Sequence, residues 1–180
     1  MILSKAVKLD ILDIGCATGR HARYLAQLGH TVIGLELTDE IKDAKRFADE
    51  TGVSTRNYYI QGDARALMFR KPFDAVLNTE MLHQISKTQS RKVLAESADL
   101  VKPGGYHVVS GYMIDHGVVN ALSHMRCLQP GELLAAYNPS EWDVLEYTEE
   151  MKTSYQYNNQ DMLQSRAMIV AQKRPIPTLF

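Results

Sequence analysis

Cysteine is scarce in this 180-residue chain: Cys16 and Cys127 are the only two, and they form no C-x-x-C pair. Neither a disulfide framework nor a structural zinc site is expected from them, and a reducing cytoplasm is the expected location. No apolar run approaches the ~20 residues that a membrane-spanning helix needs. The N-terminal Met-Ile-Leu-Ser-Lys-Ala-Val-Lys is too short and too charged for a secretory signal. An excess of one charge is lacking too, with a net charge of -1 and a pI near 6.6. That argues against a large basic footprint, so neither nucleic acid nor a membrane is expected as a partner. What remains is 45% hydrophobic and 23% charged, ordinary values for one domain with one core. We expect a single domain over residues 1–174 and a C-terminal tail over 175–180.

Helix-like and strand-like stretches alternate. Leu9 to Ile14 is an apolar run bounded by a turn, and so a buried strand. Ala22, Leu25, Ala26 and Leu28 give an apolar stripe to a helix over Arg20–Leu28, with Gly29 as its stop. Thr31 to Leu35 is a second strand. Thr38 or Asp39 caps a helix that runs to about Thr51, before Gly52. Arg56–Gln61 and Phe73–Asn78 are the third and fourth strands. A long helix from Ser86 or Lys87 to Val101 is broken by Lys102-Pro103-Gly104-Gly105, and Tyr106–Tyr112 is strand five. Gly131 to Tyr137 reads as a short helix. Trp142–Tyr147 and Ala167–Gln172 form an antiparallel hairpin, joined through the polar stretch Thr148–Ser165. Five strands separated by crossovers imply a parallel sheet in an α/β fold.

The first crossover carries chemistry. An apolar strand, a glycine turn, a helix and a second strand ending in an acid together grip a nucleoside cofactor at a sheet edge. The glycine spacing discriminates between cofactors. A dinucleotide fingerprint starting at Gly15 wants glycines at positions 17 and 20, which are Ala17 and Arg20; the next glycine is Gly19. Asp13, Glu36 and Asp63 stand at three successive strand tips, where ligands bind in such sheets. Taken alone, Asp63 is equally a cap for the short helix after it.

This pattern resembles motif I of the class I S-adenosylmethionine-dependent methyltransferases, with Ala17 in place of the middle glycine, a mild departure. The resemblance implies S-adenosyl-L-methionine as cofactor. It also implies a three-layer doubly wound sheet of seven strands in the order 3-2-1-4-5-7-6, with strand 7 antiparallel. Asp13 is implied to hold the methionine ammonium, Glu36 both ribose hydroxyls, and Asp63 with the Ala64 amide the adenine. Gly15, Cys16, Ala17, Gly19 and Leu37 would complete the cofactor wall. Asn78 and Thr79 would border the transferring methyl. Cys16 is expected to be a small packed residue. His83, next in that segment, is a catalytic candidate, although a lone histidine at a helix start is more often structural. The segment from Gly111 to Gln129 holds Asp115, His116, His124, Arg126 and Cys127, and is expected over the acceptor site. His124 and Arg126 are further catalytic candidates. The H-x7-H spacing there matches no zinc signature, so no metal is expected.

Later segments narrow the resemblance. Lys102-Pro-Gly-Gly-Tyr106, Pro130-Gly-Glu-Leu-Leu134 with Tyr137, Trp142 to Tyr147, and Arg166 to Lys173 follow one another as in the tellurite-resistance (TehB-like) methyltransferases. The implied acceptor is a small soft molecule, a metalloid oxyanion such as tellurite or selenite, or a thiol. An already ionised acceptor of this kind requires no general base, so the expected catalysis is positioning. The family departs at the start: its members carry a helical lid ahead of strand one, where eight residues stand here. We therefore expect an open pocket, covered by the segment after Gly111 or by a second subunit in a homodimer. The alternative function is a cofactor-binding module without transfer.

Overall fold

Residues 7–113, 127–157 and 160–176 are described by the computed structural model. Each of the five apolar runs became a parallel strand because the crossover after it returns the chain to the same end of the sheet. The order is β1 (Asp10–Ile14), α1 (Arg20–Gln27), β2 (Thr31–Glu36), α2 (Glu40–Glu50), β3 (Asn57–Gln61), β4 (Phe73–Thr79), α3 (Lys87–Asp99), β5 (Val101–Met113), β6 (Trp142–Tyr157) and β7 (Gln160–Lys173). Single 3-10 turns lie at Ala64–Ala66, Leu82–Gln84 and Leu134–Ala136. The strands form one seven-stranded sheet in the order β3-β2-β1-β4-β5-β7-β6. β7 runs antiparallel to both its neighbours, as the sequence implied.

Side-chain alternation divides the core between the two faces. Ile11 and Val32 point to α1 and α2, where Ala22, Leu25, Ile41 and Ala44 meet them. Leu12, Ile14 and Leu35 point the other way, toward Val93 of α3 and Ile169 of β7. Each such fully buried side chain contributes roughly 1.5–3 kcal/mol. Ser86 caps α3 as expected: its Oγ accepts from the Gln89 amide at 3.3 Å, and Gln89 Oε1 accepts from the Ser86 amide at 3.1 Å.

Three segments differ from the expectations. Lys102–Gly105 does not stand between helix and strand; β5 already begins at Val101. The pairing slips from Phe73↔Val101 to Ala75↔Tyr106, so the extra residues form a bulge. Gly104, at φ 78, supplies the turn, and a Cβ on Gly105 would lie 2.8 Å from the Asp74 carbonyl. The helix expected over Gly131–Tyr137 shrinks to one 3-10 turn: Gly131 sits at φ 73, outside helical space, and the extended Tyr137 cuts the turn short. The stretch Thr148–Ser165 is mostly strand: β6 and β7 stay paired as far as Tyr157↔Gln160. Before Ser165, from Gln160 to Gln164, β7 pairs with β6 alone.

A buried histidine ties α3, β5 and the 130s segment together. His107 is fully buried, with Nε2 3.1 Å from Ser97 Oγ and Nδ1 2.9 Å from the Tyr137 hydroxyl. The Ser97 hydroxyl proton goes to the Leu94 carbonyl, at 2.9 Å. Nε2 must then donate to Ser97, and Nδ1 must accept from Tyr137. Burial, with a smaller push from Lys173, lowers the His107 pKa to about 3.

Candidate active site

The turns after β1, β2, β3 and β4 open on one edge, since Ile14 pairs with Leu35, Glu36 with Gln61 and Thr79 with Ser110. A cavity of about 840 Å³ lies there, the size of a small-molecule site. Of the residues singled out from sequence, Gly15, Cys16, Ala17, Glu36, Leu37, Asp63, Ala64, Thr79 and His83 line it. Asp13, Gly19 and Asn78 are not in the wall. His124, Arg126, Asp115 and His116 lie outside the described residues.

The glycine turn is tied down at its start. The amides of Gly15 and Cys16 both donate to the Leu35 carbonyl, at 2.8 and 3.1 Å. The turn then passes through left-handed conformations at Gly15 (φ 71), Ala17 (φ 46) and Gly19 (φ 74). Ala17 is thus more than an added methyl, because its conformation is one that alanine adopts at a cost of roughly 1–2 kcal/mol. A Cβ on Gly19 would run into the ring and hydroxyl of Tyr59, a buried residue that sequence reasoning did not single out. Cys16 is packed as expected; burial and the nearby Asp13 and Glu36 carboxylates push its thiol pKa up, so it stays protonated.

Glu36 is held by this turn. Its Oε2 accepts from the Ala17 amide at 3.0 Å, and its Oε1 from the Thr38 amide and hydroxyl, each at 2.8 Å. Oε2, with one bond accepted, keeps acceptor capacity for a ligand, whereas Oε1 already accepts two.

Asp13 points toward α1, opposite to Leu12 and Ile14. It is 1% exposed, and neither oxygen has a hydrogen-bond partner of normal geometry. Desolvation raises its pKa to about 7. The Ala22 amide in the first turn of α1 and the Arg20 charge oppose that rise without cancelling it. An unpartnered carboxylate beneath the turn suits a cationic or N–H-donating ligand group.

Asn78, like Asp13, lies behind the cavity wall. It is fully buried and both its side-chain amide atoms lack partners. Thr79 instead faces the cavity, because successive strand residues point to opposite sides. Asp63 does cap the turn after it, accepting from the Arg65 amide at 2.8 Å. The Arg65 side chain also grips both Asp63 oxygens, with an ion pair at 2.6 Å, and holds the carboxyl below the usual range. Any purine edge approaching Asp63 shares that carboxylate with Arg65.

His83 lines the cavity at 7% exposure. Its Nδ1 is buried without a partner, and burial holds its pKa below the ordinary imidazole value. Its ring lies 4.4 Å from the Tyr112 ring. The Arg166 guanidinium lies over the Tyr112 ring, 5.4 Å from its centroid, and pairs with Glu80 at 3.0 Å. Sequence reasoning missed Tyr112, Glu80 and Arg166 as site residues, since their adjacency comes from the pairing of β4, β5 and β7. Among the described residues no cluster of His, Cys, Asp or Glu could hold a metal ion.

Comparison with known proteins converges on one group. A family model described as a methyltransferase domain matches residues 11–105, more than half of the chain. The ubiquinone biosynthesis O-methyltransferase of Shewanella pealeana is 28% identical over 178 residues, covering 81% of this chain and 74% of that protein. Its namesake in Colwellia psychrerythraea is 38% identical over 98 residues, covering 54% of this chain and 39% of that protein. Among solved structures, TehB from Haemophilus influenzae superposes with a TM-score of 0.81 at 21% identity. That match covers 94% of this chain but spans only 59% of the TehB chain.

Proposed function

Because the chain belongs to the S-adenosyl-L-methionine-dependent methyltransferases, we propose that it moves a methyl group from that cofactor to a small acceptor bound beside Thr79, His83 and Tyr112. The observation that carries this reading is the single cavity that gathers Gly15 to Ala17, Glu36, Asp63 with Ala64, and Thr79 at the tips of four parallel strands, with the unpartnered Asp13 carboxylate behind the glycine turn. Asp13 would take the cofactor's ammonium, Glu36 the ribose hydroxyls, and Asp63 with the Ala64 amide the adenine edge. When bound, the cofactor supplies a methyl on a sulfonium, already activated for displacement. The protein's part is then to hold donor and acceptor in line.

The lining supports an uncharged acceptor. Five carboxylates, Glu36, Asp39, Glu40, Asp63 and Glu80, face two guanidiniums, Arg20 and Arg65. Asp63 pairs with Arg65, Asp39 with Lys42 and Glu80 with Arg166, which leaves Glu36 and Glu40 against Arg20. Such a field favours the cationic cofactor and opposes an approaching oxyanion. Of the acceptors implied by the resemblance, the thiol fits better than tellurite or selenite. A hydroxyl, the acceptor class in the names of the Shewanella and Colwellia relatives, fits equally.

Calorimetry with S-adenosylmethionine and S-adenosylhomocysteine tests the cofactor, followed by product analysis with thiols, phenols, tellurite and selenite. Micromolar binding and a methylated thiol or phenol are expected. Absence of binding at millimolar ligand overturns the reading. Product from tellurite or selenite alone overturns the acceptor class. Binding without product from any of them leaves a cofactor-binding module.

A further inference from the structure

We propose that His83 is the general base of the transfer, taking the proton of a weakly acidic hydroxyl or thiol acceptor. The proposal rests on the methyl-transfer reading above and deepens it, because a base is of use only to an acceptor that carries a proton.

Three histidines are buried among the described residues, His30, His83 and His107, and of these His83 alone borders the cavity. His107 is a satisfied core residue, with one ring nitrogen on Ser97 and the other on Tyr137. His83 is almost as buried, at 7% exposure, yet it borders the cavity and its Nδ1 has no partner. Nδ1 is closed to solvent and no protein group fixes the tautomer there, so a ring that carries its proton on Nδ1 leaves the Nε2 lone pair for a ligand.

The surroundings hold the ring in place. Tyr112 packs against it with ring centroids 4.4 Å apart. Arg166 of β7 lies over Tyr112 and is fixed by its 3.0 Å ion pair with Glu80. Glu80 is itself held at φ 58, with its amide donating to the Ser110 carbonyl at 2.9 Å. Left-handed backbone at a non-glycine residue persists where surrounding structure enforces it, and such strain gathers at functional sites. Glu80 favours the protonated ring, but desolvation outweighs it, leaving a neutral imidazole at neutral pH.

The step balances as follows. The acceptor O–H or S–H bond breaks and its proton passes to the His83 ring. The freed electron pair forms the bond to the methyl carbon, and the carbon–sulfur pair stays on sulfur as a neutral thioether. The imidazolium then returns its proton to water.

Two acceptors of different acidity, phenol and 4-nitrophenol, test the proposal with the full chain. His83→Phe keeps a ring against Tyr112 without a lone pair, and His83→Gln keeps a polar group. Both variants should lose roughly 100-fold or more in kcat with phenol, and much less with the more acidic 4-nitrophenol. The rising limb of the wild-type kcat/KM profile with pH should vanish in both. Equal losses on the two acceptors, with that limb retained, would show that the ring only positions and would overturn the proposal. A readout without turnover is the absorbance of 4-nitrophenol bound beside S-adenosylhomocysteine. Wild type should shift it toward the phenolate, and neither variant should. Calorimetry keeps the two readings apart: no S-adenosylhomocysteine binding by wild type sinks the methyl-transfer reading, whereas binding without a phenolate shift sinks the base alone.

Discussion

Replacing Asp13 by Asn should make the protein without cofactor more stable while spoiling its cofactor site. The carboxyl has a pKa of about 7 in the fold, against an ordinary 3.8. A raised pKa means that the folded state keeps this proton where the unfolded chain has lost it. The associated stability is therefore full below pH 3.8 and is lost as pH climbs to about 7. The whole rise corresponds to roughly 4 kcal/mol, of which roughly 2–3 kcal/mol falls between pH 5 and pH 8. Asn carries no charge at either pH. The stability difference between Asp13→Asn and wild type should thus grow by that amount from pH 5 to pH 8, whatever its starting value. Urea denaturation of both proteins at the two pH values, without cofactor, measures it. A difference that stays constant or shrinks with pH would refute the buried-charge argument. The same variant should bind S-adenosylmethionine about 10- to 100-fold more weakly, since a hydrogen bond to a charged group contributes about 1.5–3 kcal/mol. His107 slopes the other way: its lowered pKa makes its contribution full above pH 6.5 and lost as pH falls toward about 3.

Three further perturbations probe other parts of the design. Glu36→Gln should weaken S-adenosylhomocysteine binding by about 1–3 kcal/mol in calorimetry, because one acceptor oxygen becomes a donor facing the Ala17 or Thr38 amide. Gly19→Ala should destabilise by about 1–3 kcal/mol in chemical denaturation, since the new methyl meets Tyr59 and the backbone sits at φ 74. Ser97→Ala should cost about 1–3 kcal/mol of unfolding free energy by stranding the His107 Nε2 proton in the core, and no loss would refute the tautomer assigned to His107.

The parts of the site readable from sequence were those whose chemistry is local in the chain. The glycine turn, the three acids at strand tips and the Ser86 cap each depend on residues a few positions apart. Strand order and the antiparallel seventh strand came with the family resemblance that those residues supported. What escaped was decided by pairing across the sheet or by parity along a strand. Asn78 and Thr79 differ only in which side of β4 they face. Glu80 and Arg166 lie far apart in sequence and meet because β4 neighbours β5 and β5 neighbours β7. The arms of β6 and β7 between Thr148 and Ser165 lack an apolar alternation, so a period-2 reading had nothing to detect. The Gly131 segment misled by composition, its leucines suggesting a helix that the extended Tyr137 cuts short after one turn.

The seventh strand also sets a clock. Ile169 and Ala171 of β7 pack in the same core as Leu12 and Ile14 of β1. A chain made from its N-terminus cannot close that core until residue 171 has been added. Between residue 113, where β5 ends, and residue 171, synthesis at 5–20 residues per second takes roughly 3–12 s. For those seconds β5 is a bare sheet edge beside an unfinished interior.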